Sequence, residues 1–309
     1  MAIAFKKVTL PPIQGLSISA PNGAFIGIVG EDGSGKTALL RLAAGLDKPI
    51  AGSVSAGESR LMVGVNDALG FPPVDVLVLD HALARHDILV RNRARITLER
   101  LRRGGTTILM ASHDEQLLRG FCDELWWIAE GKVAARGDPA TVLDAYRGQV
   151  ADKLRAWGET LSATLATNQR RGDGRAEIVS VETLGAQGKA TLVWRSGEAA
   201  EVRVSVRFND AVTDPVIGIL IRNRIGLDVY GTNTELENLK LGPRTNGETV
   251  RLTFRFLCEL CPQEYTLTVA SHDPNGVRHD WLEEAVAFTV TDSRYTAGVA
   301  NLKARVSLG

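Results

Sequence analysis

The feature that most constrains this chain is a complete phosphate-binding loop, Gly-Glu-Asp-Gly-Ser-Gly-Lys-Thr, at residues 30–37. The apolar run at residues 24–29 before it predicts a buried strand, and the run at residues 37–44 after it predicts a helix. A strand–loop–helix turn of this kind lets successive backbone N–H groups and the helix N-terminus face one anion. The sequence therefore predicts an α/β domain of the P-loop NTPase class, rather than a chance glycine-rich turn.

The same motif predicts ligands for ATP and Mg²⁺. We expect Lys36 to reach the β- and γ-phosphates and the hydroxyl of Thr37 to bind the metal ion. Asp80 ends the apolar strand candidate 74–79, and we expect it to be the second Mg²⁺ ligand rather than an ordinary carboxylate at a strand end. The predicted nucleotide-binding residues are Gly30, Glu31, Asp32, Gly33, Ser34, Gly35, Lys36 and Thr37.

Length and charge limit the possible partners. A chain of 309 residues is long enough for two domains, each with its own core. The 36 basic residues balance the 36 acidic ones, so we expect no nucleic acid partner. The sequence has neither an apolar run long enough for a membrane helix nor a secretory signal, which predicts a soluble, cytoplasmic protein.

The three cysteines are too few and of the wrong number for a disulfide framework, and they favour a reducing compartment. Cys258 and Cys261, followed by His272 and His279, loosely imitate a zinc pattern, but the spacing of the histidines is wide. Two reduced cysteines at the end of a strand are the alternative interpretation.

The first half of the chain alternates strands with helices, as an α/β parallel sheet does. We predict helices at 91–103 and 115–122, a strand at 106–111 that ends at His113, and a hairpin at 125–135. Residues 1–137 form the predicted nucleotide-binding domain. Residues 138–174 form a connector, with a helix from Asp138 to about Leu165 and a polar linker at 168–174.

From residue 175 the period of the apolar residues changes to two, which predicts half-buried antiparallel strands. Seven or more short strands separated by turns indicate an immunoglobulin-like β-sandwich at 175–309. The predicted strands are residues 176–184, 191–195, 202–208, 216–223, 250–256, 265–270 and 285–291.

The phosphate loop, the segment Gly45–Val54, the strand that ends at Asp80 and the loop at His113 together resemble the ATP-binding subunit of ABC transporters. This resemblance implies that His113 senses the γ-phosphate and that two subunits enclose each ATP. It also places His81 where the family has the glutamate that polarises the attacking water. Ordinary polar loop histidines are the alternative for both positions.

Two departures from that family bear on activity. Only about twenty residues lie between Val54 and Val74, where the family has a helical subdomain with a Gln loop and the Leu-Ser-Gly-Gly-Gln signature. A homodimer would therefore leave both γ-phosphates uncovered on one side, whereas a heteromer with a complete ATPase would supply the signature. An imidazole at position 81 lacks the charge of a carboxylate, so ATP binding is expected and hydrolysis is doubtful.

The second half resembles the carbohydrate-binding domain of polysaccharide and O-antigen exporters. Three segments carry the resemblance: Gly172–Ile178, Gly226–Thr234 and His279–Phe288. It implies a polysaccharide ligand, a membrane-spanning exporter subunit as a partner, and a position at the inner face of the membrane.

The sandwich has two sets of candidate glycan contacts. Arg203, Arg207, Arg251 and Arg255 share the polar side of two strands and suit either an acidic glycan or a solvated outer face. The aromatic candidates for stacking on sugars, each with the alternative of a core or turn residue, are Trp194, Tyr230 and Trp281.

Three functions remain open from sequence alone. The first is a reduced ATP-binding subunit of a polysaccharide exporter, acting alone or beside a complete ATPase. The second is a non-enzymatic glycan-binding or scaffolding protein with a relic P-loop domain. The third, a small P-loop kinase, would need a lid, and residues 54–74 leave little chain for one.

Overall fold

A computed structural model of the protein describes residues 2–67, 69–159 and 170–307. The chain divides into two compact units, Met1–Tyr146 and Arg147–Gly309, and the division falls inside the helix α4 (Pro139–Gly158). The end of the predicted connector helix and the first residues of the predicted linker lie outside the described residues. Within the described residues no helix is long and apolar enough to cross a bilayer.

The described part of the first unit contains two sheets, three complete helices and the start of α4. Its elements are β1 (Ile3–Leu10), β2 (Ile13–Ala20), β3 (Phe25–Val29), α1 (Lys36–Ala44), β4 (Ala51–Ala56), β5 (Arg60–Gly64), β6 (Val76–Asp80), α2 (Ile88–Arg103), β7 (Thr107–Ala111), α3 (Glu115–Phe121), β8 (Glu124–Ala129) and β9 (Lys132–Gly137). The smaller sheet is antiparallel, in the order β2-β1-β4, and the larger has the order β5-β6-β7-β3-β8-β9.

The larger sheet confirms the predicted α/β class. Strands β5, β6, β7, β3 and β8 are parallel, and only β9 pairs antiparallel. Successive side chains of β3 point to opposite faces of the sheet and belong to two separate cores. Ile28 packs with Leu39 of α1 on one face, and Phe25 packs with Leu98 of α2 on the other. Because β6, β7 and β3 are neighbours, their carboxyl ends meet at one edge of the sheet, where ligands bind in such folds.

The described residues between 54 and 74, which leave out residue 68, form no helix. They contribute the edge strand β5, which pairs in parallel with β6. Leu61, Leu69, Phe71 and Val74 pack against the core on the α2 face of the sheet.

The second unit is a two-sheet sandwich, as predicted. Its strands are β10 (Arg170–Arg171), β11 (Ala176–Leu184), β12 (Val193–Arg195), β13 (Ala199–Phe208), β14 (Val216–Asn223), β15 (Asp228–Asn233), β16 (Thr249–Leu257), β17 (Gln263–His272) and β18 (Arg278–Thr291). One sheet has the order β10-β18-β17-β14-β15, with β12 beside β18, and the other has the order β11-β13-β16.

The core of the sandwich lies between these two sheets. The alternating apolar residues of β13, including Val202, Val204 and Val206, face inward against Ile219 of β14 and Leu267 of β17. The predicted bounds of β11 and β14 are correct. Strands β1, β2, β4, β5, β10 and β15 were not predicted, and β10 lies in the predicted polar linker, where it pairs with β18.

Candidate functional site

The phosphate loop lies between β3 and α1, as the motif requires. Gly33 and Gly35 have backbone φ angles of 77° and 108°, a conformation that residues with a Cβ atom rarely adopt. Gly35 caps α1, and its carbonyl accepts a hydrogen bond from Leu39 N at 2.9 Å. The turn thus presents the N-terminus of a nine-residue helix at the end of β3.

Lys36 is buried at the start of α1 and folds back onto the loop. Its Nζ donates hydrogen bonds to the carbonyls of Gly30 at 2.8 Å and Glu31 at 2.7 Å. Burial lowers the pKa of Lys36, and the carboxylates of Asp32 and Asp80 oppose this shift. Lys36 therefore places a positive charge close to both the phosphate loop and the carboxyl end of β6.

Asp80 and the loop hydroxyls offer oxygen ligands of the kind that Mg²⁺ prefers. Asp80 Oδ1 and Ser34 Oγ are buried without a hydrogen-bond partner. Such oxygens are costly to leave unpaired, and Mg²⁺ or its bound water would satisfy them. Thr37, in the first turn of α1, is exposed to solvent. Mg²⁺ characteristically takes one or two protein ligands plus phosphate oxygens and water, so this donor set fits the ion.

The structure brings His81 and His113 together. Their rings are stacked, with centroids 4.9 Å apart and an interplanar angle of 29°. Nε2 of His81 lies 3.8 Å from Asp80 Oδ1, and Nε2 of His113 lies 3.2 Å from Oδ1 of Asp32 in the phosphate loop. Burial lowers the pKa of His81, and the nearby His113 and Lys36 lower it further. A neutral His81 at this position can accept a proton.

The loop that carries His113 is held by contacts that the sequence did not reveal. Asp114 caps α3 by accepting hydrogen bonds from Gln116 N and Leu117 N. Ser112 Oγ accepts from Asp114 N at 3.0 Å, and Arg91 of α2 pairs with Asp114 at 2.9 Å. The chain order Ser-His-Asp before an apolar helix is the signal that indicates this N-cap.

Three of the four arginine candidates of the sandwich are paired with acidic groups. Arg255 lies 2.9 Å from Glu201, and Arg203 lies 3.1 Å from the same carboxylate. Arg207 pairs with Glu177, and Arg251 donates to a serine hydroxyl. Three of the four guanidinium groups therefore already share two carboxylates, which fits the solvated-face interpretation better than an acidic-glycan site.

The three aromatic candidates have different surroundings. Trp194 is fully buried and packs against Phe256 and Phe288, so it belongs to the core. The guanidinium of Arg278 covers the ring of Trp281 at 4.3 Å. Tyr230 is 41% exposed and is the candidate whose ring remains available.

Tyr230 lines a groove between the two edge strands β15 and β16. Its volume is about 350 Å³, at the lower end of the roughly 300–1,000 Å³ typical of ligand pockets. The ring of Phe256 lies 6.0 Å from that of Tyr230. We name this cavity the edge groove; its lining residues are Tyr230, Thr232, Thr234, Glu237, Leu239, Leu252, Thr253, Phe254, Arg255 and Phe256.

The cysteines do not support the zinc alternative. Cys258 and Cys261 are buried free thiols, and burial raises the pKa of Cys258 to about 12. Across the described ranges, no three His, Cys, Asp or Glu side chains are placed to hold a metal ion. Nε2 of His279 instead pairs with Asp273 at 2.9 Å.

Comparisons with known proteins agree with both halves. Residues 13–95 match the ABC transporter family, and residues 167–302 match the Wzt C-terminal domain family. The O-antigen export system ATP-binding protein RfbB of Myxococcus xanthus is 22% identical over 337 residues, which cover 85% of this chain and 77% of that protein. That alignment exceeds the 309 residues of this chain, so RfbB has segments without a counterpart here.

Two further relatives match part of the chain. The teichoic acids export ATP-binding protein TagH of Bacillus anthracis is 22% identical over 195 residues, covering 43% of this chain and 36% of that protein. Among solved structures, the crystal structure of the C-terminal domain of wzt is 21% identical, with a TM-score of 0.45, and covers 52% of this chain and 99% of that one.

Proposed function

Since this chain joins an ABC transporter domain to a Wzt C-terminal domain, we propose that it is the ATP-binding subunit of an ABC exporter of a cell-surface polysaccharide. The observation that carries the proposal is the intact phosphate site, where Lys36 is bonded to the loop and Asp80 Oδ1 is left without a partner. The RfbB and TagH relatives, both export ATP-binding proteins by name, support the same role.

In this role the chain's own residues bind and orient the nucleotide. Lys36 would exchange its two carbonyl partners for phosphate oxygens, and Asp80 with Thr37 would hold an Mg²⁺ ion, which would neutralise charge at the phosphates. His81 accepts a proton from the attacking water, and His113 contacts the γ-phosphate. Both roles rest on the position of the stacked pair beside Asp80 and the loop.

Hydrolysis by this chain alone should be slow. The sequence contains no signature segment to cover the γ-phosphate, and His81 provides no fixed negative charge. A second, complete ATPase subunit would supply the missing segment, and a membrane-spanning subunit would complete the exporter. Such a complex places the protein in the cytoplasm, at the inner face of the membrane.

Calorimetric titration of the purified protein with ATP tests this function. With Mg²⁺ present we expect saturable binding, and with excess EDTA we expect the affinity to fall by about ten-fold or more, because Asp80 then faces the phosphates without a cation. Absence of ATP binding in both conditions would reject the nucleotide role. The protein would then fit the alternative of a glycan-binding or scaffolding subunit with a relic P-loop domain.

We further propose that the edge groove binds the exported glycan and that the sugars bound in the groove are uncharged. Tyr230 and Phe256 offer apolar ring surface, while the two threonines at 232 and 253 offer hydroxyls. Glu237 places a carboxylate in the groove, and the guanidinium of Arg255 is already paired with Glu201. An acidic sugar would meet repulsion without a free cation to offset it.

Replacing Tyr230 with alanine should weaken glycan binding about ten-fold, because it removes the most accessible ring of the groove. The probe is cell-surface polysaccharide from the producing organism, divided into neutral and acidic fractions by anion exchange and assayed by saturation-transfer NMR. Tyr295, a tyrosine outside the groove that is 55% exposed, gives the matched control Tyr295→Ala. Preferred binding of the acidic fraction, or unchanged binding by Tyr230→Ala, would contradict the assignment.

A further inference from the structure

The phosphate loop carries its own anion at the mouth of the site. Asp32 is 95% exposed, and its Oδ1 lies 3.2 Å from Nε2 of His113. The loop follows β3 and His113 follows β7, and these two strands are neighbours in the sheet. The contact therefore bridges the two loops between which a nucleotide's phosphates would enter.

The carboxylate of Asp32 acts electrostatically on Lys36, the same group that would bind a phosphate. Its carboxylate tends to raise the pKa of Lys36 and also that of His81. Both effects require Asp32 to lie within electrostatic reach of the phosphate-binding lysine and of the stacked histidines. A triphosphate brings several negative charges to this position, so it competes directly with Asp32.

We propose that the Asp32–His113 contact is a clasp that the γ-phosphate of ATP displaces. This inference rests on the proposed nucleotide binding, and it adds a specificity-determining role for Asp32. Asp32 lies beside Nε2 of His113, at the position that the γ-phosphate would take. ATP carries the phosphate that replaces it, whereas ADP does not, so Asp32 lowers the protein's preference for ATP over ADP.

The clasp also connects the phosphate loop to the metal ligand. His113 stacks on His81, and His81 lies 3.8 Å from Asp80 Oδ1. His81 has φ of 54°, a left-handed backbone conformation for a residue with a Cβ, and its N–H donates to Ala111 O at 3.1 Å. Movement of His113 toward a γ-phosphate therefore changes the packing of the ring beside Asp80.

Calorimetric titration of Asp32→Asn with Mg·ATP and with Mg·ADP tests the clasp. Loss of the carboxylate also removes general repulsion of phosphate, so the affinity for both nucleotides should rise. Release of His113 should raise the affinity for ATP about three- to five-fold more than that for ADP, as expected for an exposed ion pair. In a His113→Ala background this extra gain should disappear, since the clasp has no second partner there.

Asp47→Asn is the matched control, because Asp47 is also in an exposed ion pair, with Arg41 at the far end of α1. It should leave both affinities unchanged. Equal gains for ATP and ADP in Asp32→Asn, or an extra gain for ATP that persists without His113, would overturn the clasp alone. Failure of the unaltered protein to bind ATP would instead reject both the clasp and the proposed nucleotide binding.

Discussion

Replacing Lys36 with alanine is expected to lower the affinity of the protein for Mg·ATP at least 100-fold. Lys36 is a buried cation of the site, and its Nζ lies within 2.8 Å of two carbonyls of the phosphate loop. Charge-assisted hydrogen bonds contribute about 1.5–3 kcal/mol each, and the alanine variant loses those to two phosphates. Calorimetric titration of both proteins measures the difference.

Two controls separate this effect from damage to the loop. Lys48→Ala removes an exposed lysine close to the same helix, and it should leave the affinity unchanged. The thermal unfolding temperature of Lys36→Ala should stay close to that of the parent protein, since α1 keeps its glycine cap and its core residues. A loss of affinity smaller than about five-fold would show that Lys36 does not carry phosphate binding.

The parts of the nucleotide site that are local in sequence could be predicted from the sequence. The phosphate loop is local because one strand, one turn and one helix define it, and Asp80 follows a continuous apolar strand. The stacking of His81 on His113 depends on the adjacency of β6 and β7, which the parallel order of the sheet suggests but does not state. The contact between Asp32 and His113 could not be predicted, because exposed loop side chains leave no periodic pattern in a sequence.

The strands missed in the first domain have weak patterns. Strand β4 contains mostly small residues. Strand β5 is a short edge strand, and each of its residues pairs with the β6 residue that comes sixteen positions later in the sequence. The apolar residues of β1 are interrupted by two lysines that point to solvent. Tertiary packing against α1 and the larger sheet makes these segments form strands, and this packing overrides the weak local signal in their sequences.

The edge groove was not predictable from the sequence. Strand β16 alternates clearly, but β15 contains glycine and asparagine and has no apolar face of its own. The two strands belong to different sheets and meet only because each is an edge of its sheet. Tyr230 was a stacking candidate together with Trp194, and burial, which a single sequence does not give, separates them.

The largest effect on stability is expected from Asp280, a buried carboxylate that joins the two sheets of the sandwich. Its oxygens accept hydrogen bonds from Arg170 at 2.8 and 2.6 Å and from Ile178 N of the opposite sheet at 2.6 Å. Asp280→Ala leaves the buried N–H of Ile178 without its acceptor and removes two hydrogen bonds of Arg170, which keeps Ile178 O at 2.8 Å and Glu177 at 3.6 Å; the change should cost about 3 kcal/mol. Arg170 keeps partial access to water, so we place the value at the low end for a broken buried pair.

Scanning calorimetry of the full chain measures this change as a fall of roughly 6–12 °C in the unfolding temperature of the sandwich. Asp228→Ala is the matched control, because Asp228 is an exposed carboxylate paired with Arg222, which keeps Glu283 as a second partner. Exposed pairs contribute about 0–1 kcal/mol, so the control should change the unfolding temperature little. Equal shifts for the two variants would mean that Asp280 does not join the sheets energetically, and that packing of the core alone holds them together.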